Sequence, residues 1–180
     1  MKIALFPFPA MNPTPLPIAR RRRCATYELI VVTPMALRET AFPSALADSP
    51  MKAHAYWAEH VATTATFDPM KEHSVVLLLN TRRSVLAHHV VSVGTLDSCL
   101  VFGREVFRPA IVAAAASIVL MHNHPSGDPT PSAADLQVTR KLVDAGKLLG
   151  IELVDHVVVG SSSPHRVHPY CSLRELGHFH

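Results

Sequence analysis

The sequence predicts an α/β domain, and three observations carry that prediction. Strand-like runs such as "SVVLLL" (74 to 79) and "ELVDHVVV" (152 to 159) alternate with segments whose apolar residues recur at helical spacing. With 180 residues, 48% of them apolar, the chain can build one core of ordinary size and still carry a tail. No run of 18 or more apolar residues occurs, so a membrane-spanning helix is not expected.

Taken in order, residues 1 to 23 hold prolines at 7, 9, 13, 15 and 17, which prevent a continuous helix, and end in "RRRR". We expect a disordered tail there. The arginines follow the apolar part, the reverse of a signal peptide, so a cytoplasmic location is expected. Residues 24 to 65 read as an extension made of a strand, "YELIVV" (27 to 32), and a helix, "MKAHAYWAEHVA" (51 to 62), anchored by Tyr56, Trp57 and Val61. "HSVVLLLNTRRSVLAHHVVSVG" (73 to 94) predicts a hairpin turning at Asn80 to Ser84. A helix follows over 104 to 116, with Pro109 expected to kink it near its start. "SIVLM" (117 to 121) is a buried strand leading into His122. From Ala133 to Leu149, Val138, Leu142, Ala145 and Leu149 recur at helical spacing, and Gly150 supplies a stop. Residues 151 to 159 form the next strand, and the polar remainder has room for one short strand.

The charge is unevenly placed. The tail holds five basic residues and no acid, which leaves 12 basic against 14 acidic residues in the rest. A DNA-binding domain carries its basic footprint on the folded surface, so nucleic acid is a weakly supported partner. Cys24, Cys99 and Cys171 are odd in number and widely spaced, which argues against a disulfide framework and a cysteine zinc site.

The stretch "MHNHPSGDPTPSAAD" (121 to 135) carries the chemistry. On an extended strand, residues i and i+2 share a side, so His122 and His124 can face one ion while Asn123 faces away. The Pro- and Gly-rich turn then brings Asp135, in the first turn of a helix, within reach. Two imidazoles and a carboxylate with a fourth position open form the ligand set of a catalytic zinc, which lowers the pKa of water to about 7. Blander readings stand beside it. Ser132 and Asp135 fit a helix capping box, and a histidine pair on a strand is often incidental. His88 and His89 are adjacent and face opposite sides, so they suit surface or packing roles. His156 suits a core-edge hydrogen bond, and His165, His168, His178 and His180 form no designed site.

The segment "HNHPSGDPTPSAAD" resembles the signature of JAB/MPN domains, the JAMM metallopeptidase class, and is closest to the bacterial RadC-type proteins. "LNTRRSVLAHHVVSVGTLDS", "REVFRPAI", "LVDHVVVG" and "SLRELG" extend the similarity over roughly residues 66 to 177, within a domain placed at 66 to 180. The resemblance implies a cytidine-deaminase-like α/β/α sandwich, a mixed sheet flanked by helices. It also implies zinc held by His122, His124 and Asp135, with Ser132 stabilising an oxyanion and an upstream glutamate as general base. Phe102 and Gly103 stand where many RadC-type proteins have His-Pro, a departure that touches helix entry more than chemistry. No counterpart of the helix-hairpin-helix region seen ahead of many RadC-type domains is recognised, which weakens a DNA-facing role.

Among the acids between the first helix and His122, Glu59 faces the polar side of its helix, and Asp68 and Asp97 occupy turn positions. Glu105 suits a helix N-terminus. Glu72, at the entrance of the buried run, resembles the family's catalytic glutamate. The expected function is a zinc-dependent peptidase acting on a peptide or isopeptide amide. The alternatives are a RadC-type accessory protein in DNA repair or mobile-element biology, and an HNH nuclease. The last is disfavoured because nuclease HNH residues are spread along a ββα-metal fold, whereas these are consecutive.

Overall fold

A computed structural model describes residues 45–94, 101–163 and 168–179. The tail at 1 to 23, the strand at 27 to 32, Cys24, Cys99, Asp97, His165 and His180 lie outside the described residues. Helix α1 (Pro50–Tyr56) starts at Ser49, whose Oγ accepts the Lys52 N–H, with Pro50 in the first turn where no donor is needed. It runs into a π-helical turn, Trp57–Val61, that the apolar periodicity did not foretell. Tyr56, Trp57 and Val61 are all buried, as expected.

Strands β1 (His73–Leu79) and β2 (Val85–Val93) form the hairpin. Its turn is closed by the Asn80 side chain, which accepts the Arg82 and Ser84 N–H groups, while Arg83 adopts a left-handed φ of 62°. Helix α2 (Gly103–Val112) contains Pro109 and stops four residues earlier than expected. Ala114 takes a φ of 49°, and the Ala115 N–H reaches back to the Ala110 carbonyl, a Schellman-type ending built without glycine. Strands β3 (Ser117–Asn123) and β4 (Glu152–Val159) are parallel and joined by helix α3 (Ala133–Leu149), and β5 (Tyr170–Ser172) completes the sheet.

The strand order is β2-β1-β3-β4-β5, with β3 and β4 parallel and the other neighbours antiparallel. Apolar residues cover both faces, as a central strand requires. Val75, Leu77, Leu79 and Met121 pack with Trp57 and Val61 on one side. Val76, Leu78, Ile118 and Leu120 pack with Phe107 and Leu142 on the other. The result is an α/β/α sandwich with a mixed sheet.

One expectation for α3 needs correction. Thr139, Leu142 and Gly146 are the buried residues of α3, with Val138 and Ala145 packed against the core, whereas Leu149 in its last turn is 47% exposed. A Cβ on Gly146 would lie 2.5 Å from the Ile151 carbonyl oxygen. A second close approach occurs at the end of β3. Gly160 lies so near the loop after His124 that a Cβ there would meet the Gly127 oxygen at 2.4 Å, and the Ser161 N–H donates to that same oxygen.

Candidate metal centre

Residues at the sheet's C-terminal edge for β3 build the site. His122 is the penultimate residue of β3 and lies on the α3 face with Leu120, while His124 follows the strand and is held by its N–H on the Val159 carbonyl. Their Nε2 atoms are 3.0 Å apart. Asp135, in the first turn of α3, places Oδ1 3.3 Å from His122 Nε2 and Oδ2 3.7 Å from His124 Nε2. The three ligand atoms lie within 4.8 Å of one another.

The donor set fits a cation. His124 Nδ1 sits 2.7 Å from the Asp128 carbonyl oxygen, which can only accept, so Nδ1 carries a proton and Nε2 of the neutral ring is a lone pair. Burial holds His122 down to about 4, against the opposing pull of Asp135, so this ring is neutral at pH 7. The hydrogen bond to Asp135 holds His124 above its ordinary value. Burial acts to raise Asp135, yet hydrogen bonds from His124 and Ser132 outweigh it and keep the carboxyl ionised. The ionised Asp135 favours positive charge beside His124, and a cation held there would take the place of the His124 Nε2 proton, leaving both rings neutral as ligands.

Ser132 caps α3. Its Oγ accepts the Asp135 N–H at 3.2 Å, while Asp135 Oδ2 accepts the Ser132 N–H at 2.7 Å and the hydroxyl proton at 2.6 Å. The capping box therefore exists, and its acid is the same residue that faces the two histidines. Both readings of the serine and aspartate describe one arrangement.

Glu72 directly precedes β1 and is partly buried. Ser74 pairs with His122 across β1 and β3, so continuing this antiparallel register brings Glu72 opposite His124. Its negative charge adds to the upward shift of His124. Glu105 instead bonds Arg108 at 3.0 Å on α2. His88 meets the Tyr56 hydroxyl at 2.9 Å, in a packing contact away from the site.

Sequence reasoning missed three residues. Asn123, turned away from the histidines, accepts the His73 N–H and donates to the Lys71 carbonyl, so it bridges the residues on either side of Glu72. His156 is not at the edge of the core but 1% exposed, with Nε2 2.9 Å from His122 Nδ1. Thr139 Oγ1 lies 2.6 Å from His156 Nδ1. The available signal was parity: Leu120, His122 and His156 fall on one face of neighbouring parallel strands.

The RadC-like JAB domain family matches residues 47–178, most of the chain. The chain belongs to the RadC-like JAB domain family. The match begins at Ala47, so α1 lies within the family's span as well as the same compact unit as the sheet. A UPF0758 protein of Bacillus cereus strain G9842 is 47% identical over 108 residues, which cover 60% of this chain and 45% of that protein. A UPF0758 protein of Bacillus thuringiensis subsp. konkukian is 46% identical over the same shares. This RadC-like chain thus aligns with less than half the length of these relatives, and their names state no reaction. No described helix is long and apolar enough to cross a membrane.

Proposed function

We propose that this RadC-like chain is a JAMM-type zinc metallopeptidase that hydrolyses a peptide or isopeptide amide. The observation that carries the reading is the convergence of His122 Nε2, His124 Nε2 and the Asp135 carboxylate at the end of β3, with Glu72 brought opposite His124. Those three side chains would hold the ion. When bound, zinc polarises an amide carbonyl and acidifies water, which makes hydrolysis accessible at neutral pH.

The chain's own groups supply the rest. Glu72, as general base, takes a proton from the attacking water and returns it to the leaving amine nitrogen. Ser132 directs its hydroxyl proton at Asp135 Oδ2, and rotation about Cβ–Oγ turns that donor to an oxyanion. Asp135 keeps its second hydrogen bond, from the Ser132 N–H, so it stays in place as the hydroxyl turns.

Elemental analysis of protein purified without a histidine tag tests the reading, together with cleavage of peptide and isopeptide libraries with and without a chelator. About one zinc per chain and chelator-sensitive cleavage are expected. Zinc far below one per chain would end the proposal.

A further inference from the structure

Behind His122 runs a chain of hydrogen bonds whose direction follows from what each atom can donate. The Thr139 hydroxyl donates to the Asp135 main-chain oxygen at 2.7 Å. That oxygen has no proton to give, so the single Thr139 proton is used there. Thr139 Oγ1 must then accept at its 2.6 Å contact with His156, which places a proton on His156 Nδ1. The His156 ring is 1% exposed and has no carboxylate among its ring partners, so it holds one proton and Nε2 is a lone pair. At 2.9 Å that lone pair accepts from His122 Nδ1.

We propose that Thr139 and His156 are positioning residues that fix the tautomer of His122, with the proton on Nδ1 and the lone pair on Nε2, facing Asp135 and His124. The opposite polarity would put a proton on His122 Nε2, where a ligand must offer its electron pair. The relay starts at Asp135 and returns to it through His122. Asp135 supplies a carbonyl to Thr139 and a carboxylate to the site, so the helix that carries one ligand also orients another. Outer partners that fix the tautomer of a ligating histidine are a general requirement of metal sites, commonly met by a carboxylate or carbonyl. Here a second, fully buried histidine and a threonine take that part.

The inference rests on the reading of His122, His124 and Asp135 as a metal site, and two measurements separate their failures. Long-range proton–nitrogen NMR on metal-free, ring-labelled protein reads the His122 tautomer without any ion. The Nδ1-protonated form is expected in the wild type, and a dominant Nε2-protonated form overturns the relay whatever the protein does with zinc. Competition with a chromogenic chelator reads zinc affinity in Thr139→Val, which keeps the shape but cannot accept, and in Thr139→Ser, which can. Affinity should fall about 10- to 100-fold in the valine variant and return to within about threefold of wild type in the serine variant. A valine variant that binds zinc as the wild type does, or a serine variant as weak as valine, overturns the relay. A wild type that binds no zinc defeats the metal reading instead, and the NMR result still decides the tautomer.

Discussion

The Asn123 carboxamide brackets Glu72: it accepts the His73 N–H at 2.9 Å and donates to the Lys71 carbonyl at 3.0 Å, the two peptide groups on either side of the proposed base. Replacing it by alanine leaves both groups unpaired, at a cost of about 1–3 kcal/mol each if water cannot reach them. Asn123→Ala should exchange the His73 amide faster and retain zinc. Hydrolysis should drop about 100-fold, the scale of an ångström's misplacement of a reacting group. Unchanged amide protection would show that the strand entrance is held by other means.

Glu72→Gln preserves size and removes the proposed base. Zinc content should stay at the wild-type level while turnover falls about 100- to 10,000-fold. A fully active glutamine variant, with Glu105→Gln inactive, would move the base to α2.

His122→Ala and His124→Ala each remove one of three proposed ligands, and both should lose stoichiometric zinc. Elemental analysis after gel filtration reads this directly. Full occupancy in either variant removes that histidine from the site.

Ser132→Ala tests the proposed oxyanion role of a residue that also caps α3. Loss of the cap should lower unfolding free energy by about 1 kcal/mol, and loss of an oxyanion donor should slow turnover about 10- to 1000-fold. Lower stability with unaltered turnover would leave the serine a helix cap alone.

Asp155 gives a pH test away from the ligands. It lies on the opposite side of β4 from His156, and accepts the Ser172 hydroxyl and the His156 and Arg174 N–H groups. Burial pushes its carboxyl up, with the Glu175 charge adding to the shift and those hydrogen bonds opposing it. The folded pKa is thus above the unfolded value near 3.9. The stability this group contributes is fully present below the unfolded value and is lost as pH rises through the folded one. Asp155→Asn has no such loss, so its stability relative to wild type should improve between pH 4 and pH 7 in urea titrations. A pH-independent difference would mean that the carboxylate is as well solvated folded as unfolded.

The parts of this structure that were legible in sequence are those fixed by local pattern. The hairpin over 73 to 94, the limits of α3 and the His122, His124 and Asp135 grouping follow from period-two runs, capping residues and short-range spacing. What escaped depends on contacts between distant segments. The π-helical turn at Trp57 leaves no mark in apolar spacing, and the end of α2 turns on the left-handed Ala114 where glycine is the usual signal. The roles of Asn123, His156 and Thr139 emerge only when β1, β4 and α3 are placed beside β3. The residues 24 to 44 of the expected extension lie outside what the structure describes, and only its helix can be compared.

The tight seam between Gly127, Gly160 and Ser161 bears on how the proposed ion would come and go. The loop joining His124 to Asp135 is laced to the exit of β4 through main-chain atoms, with no room for a side chain at Gly160. The backbone that carries the two imidazoles and the carboxylate is thereby tied down, so capture of the proposed ion would not have to order a loose segment. Small zinc domains fold only around their metal. If the proposed site takes zinc, exchange of the ion would proceed at constant shape, and the free metal concentration around the protein, rather than a folding equilibrium, would govern when the site is filled.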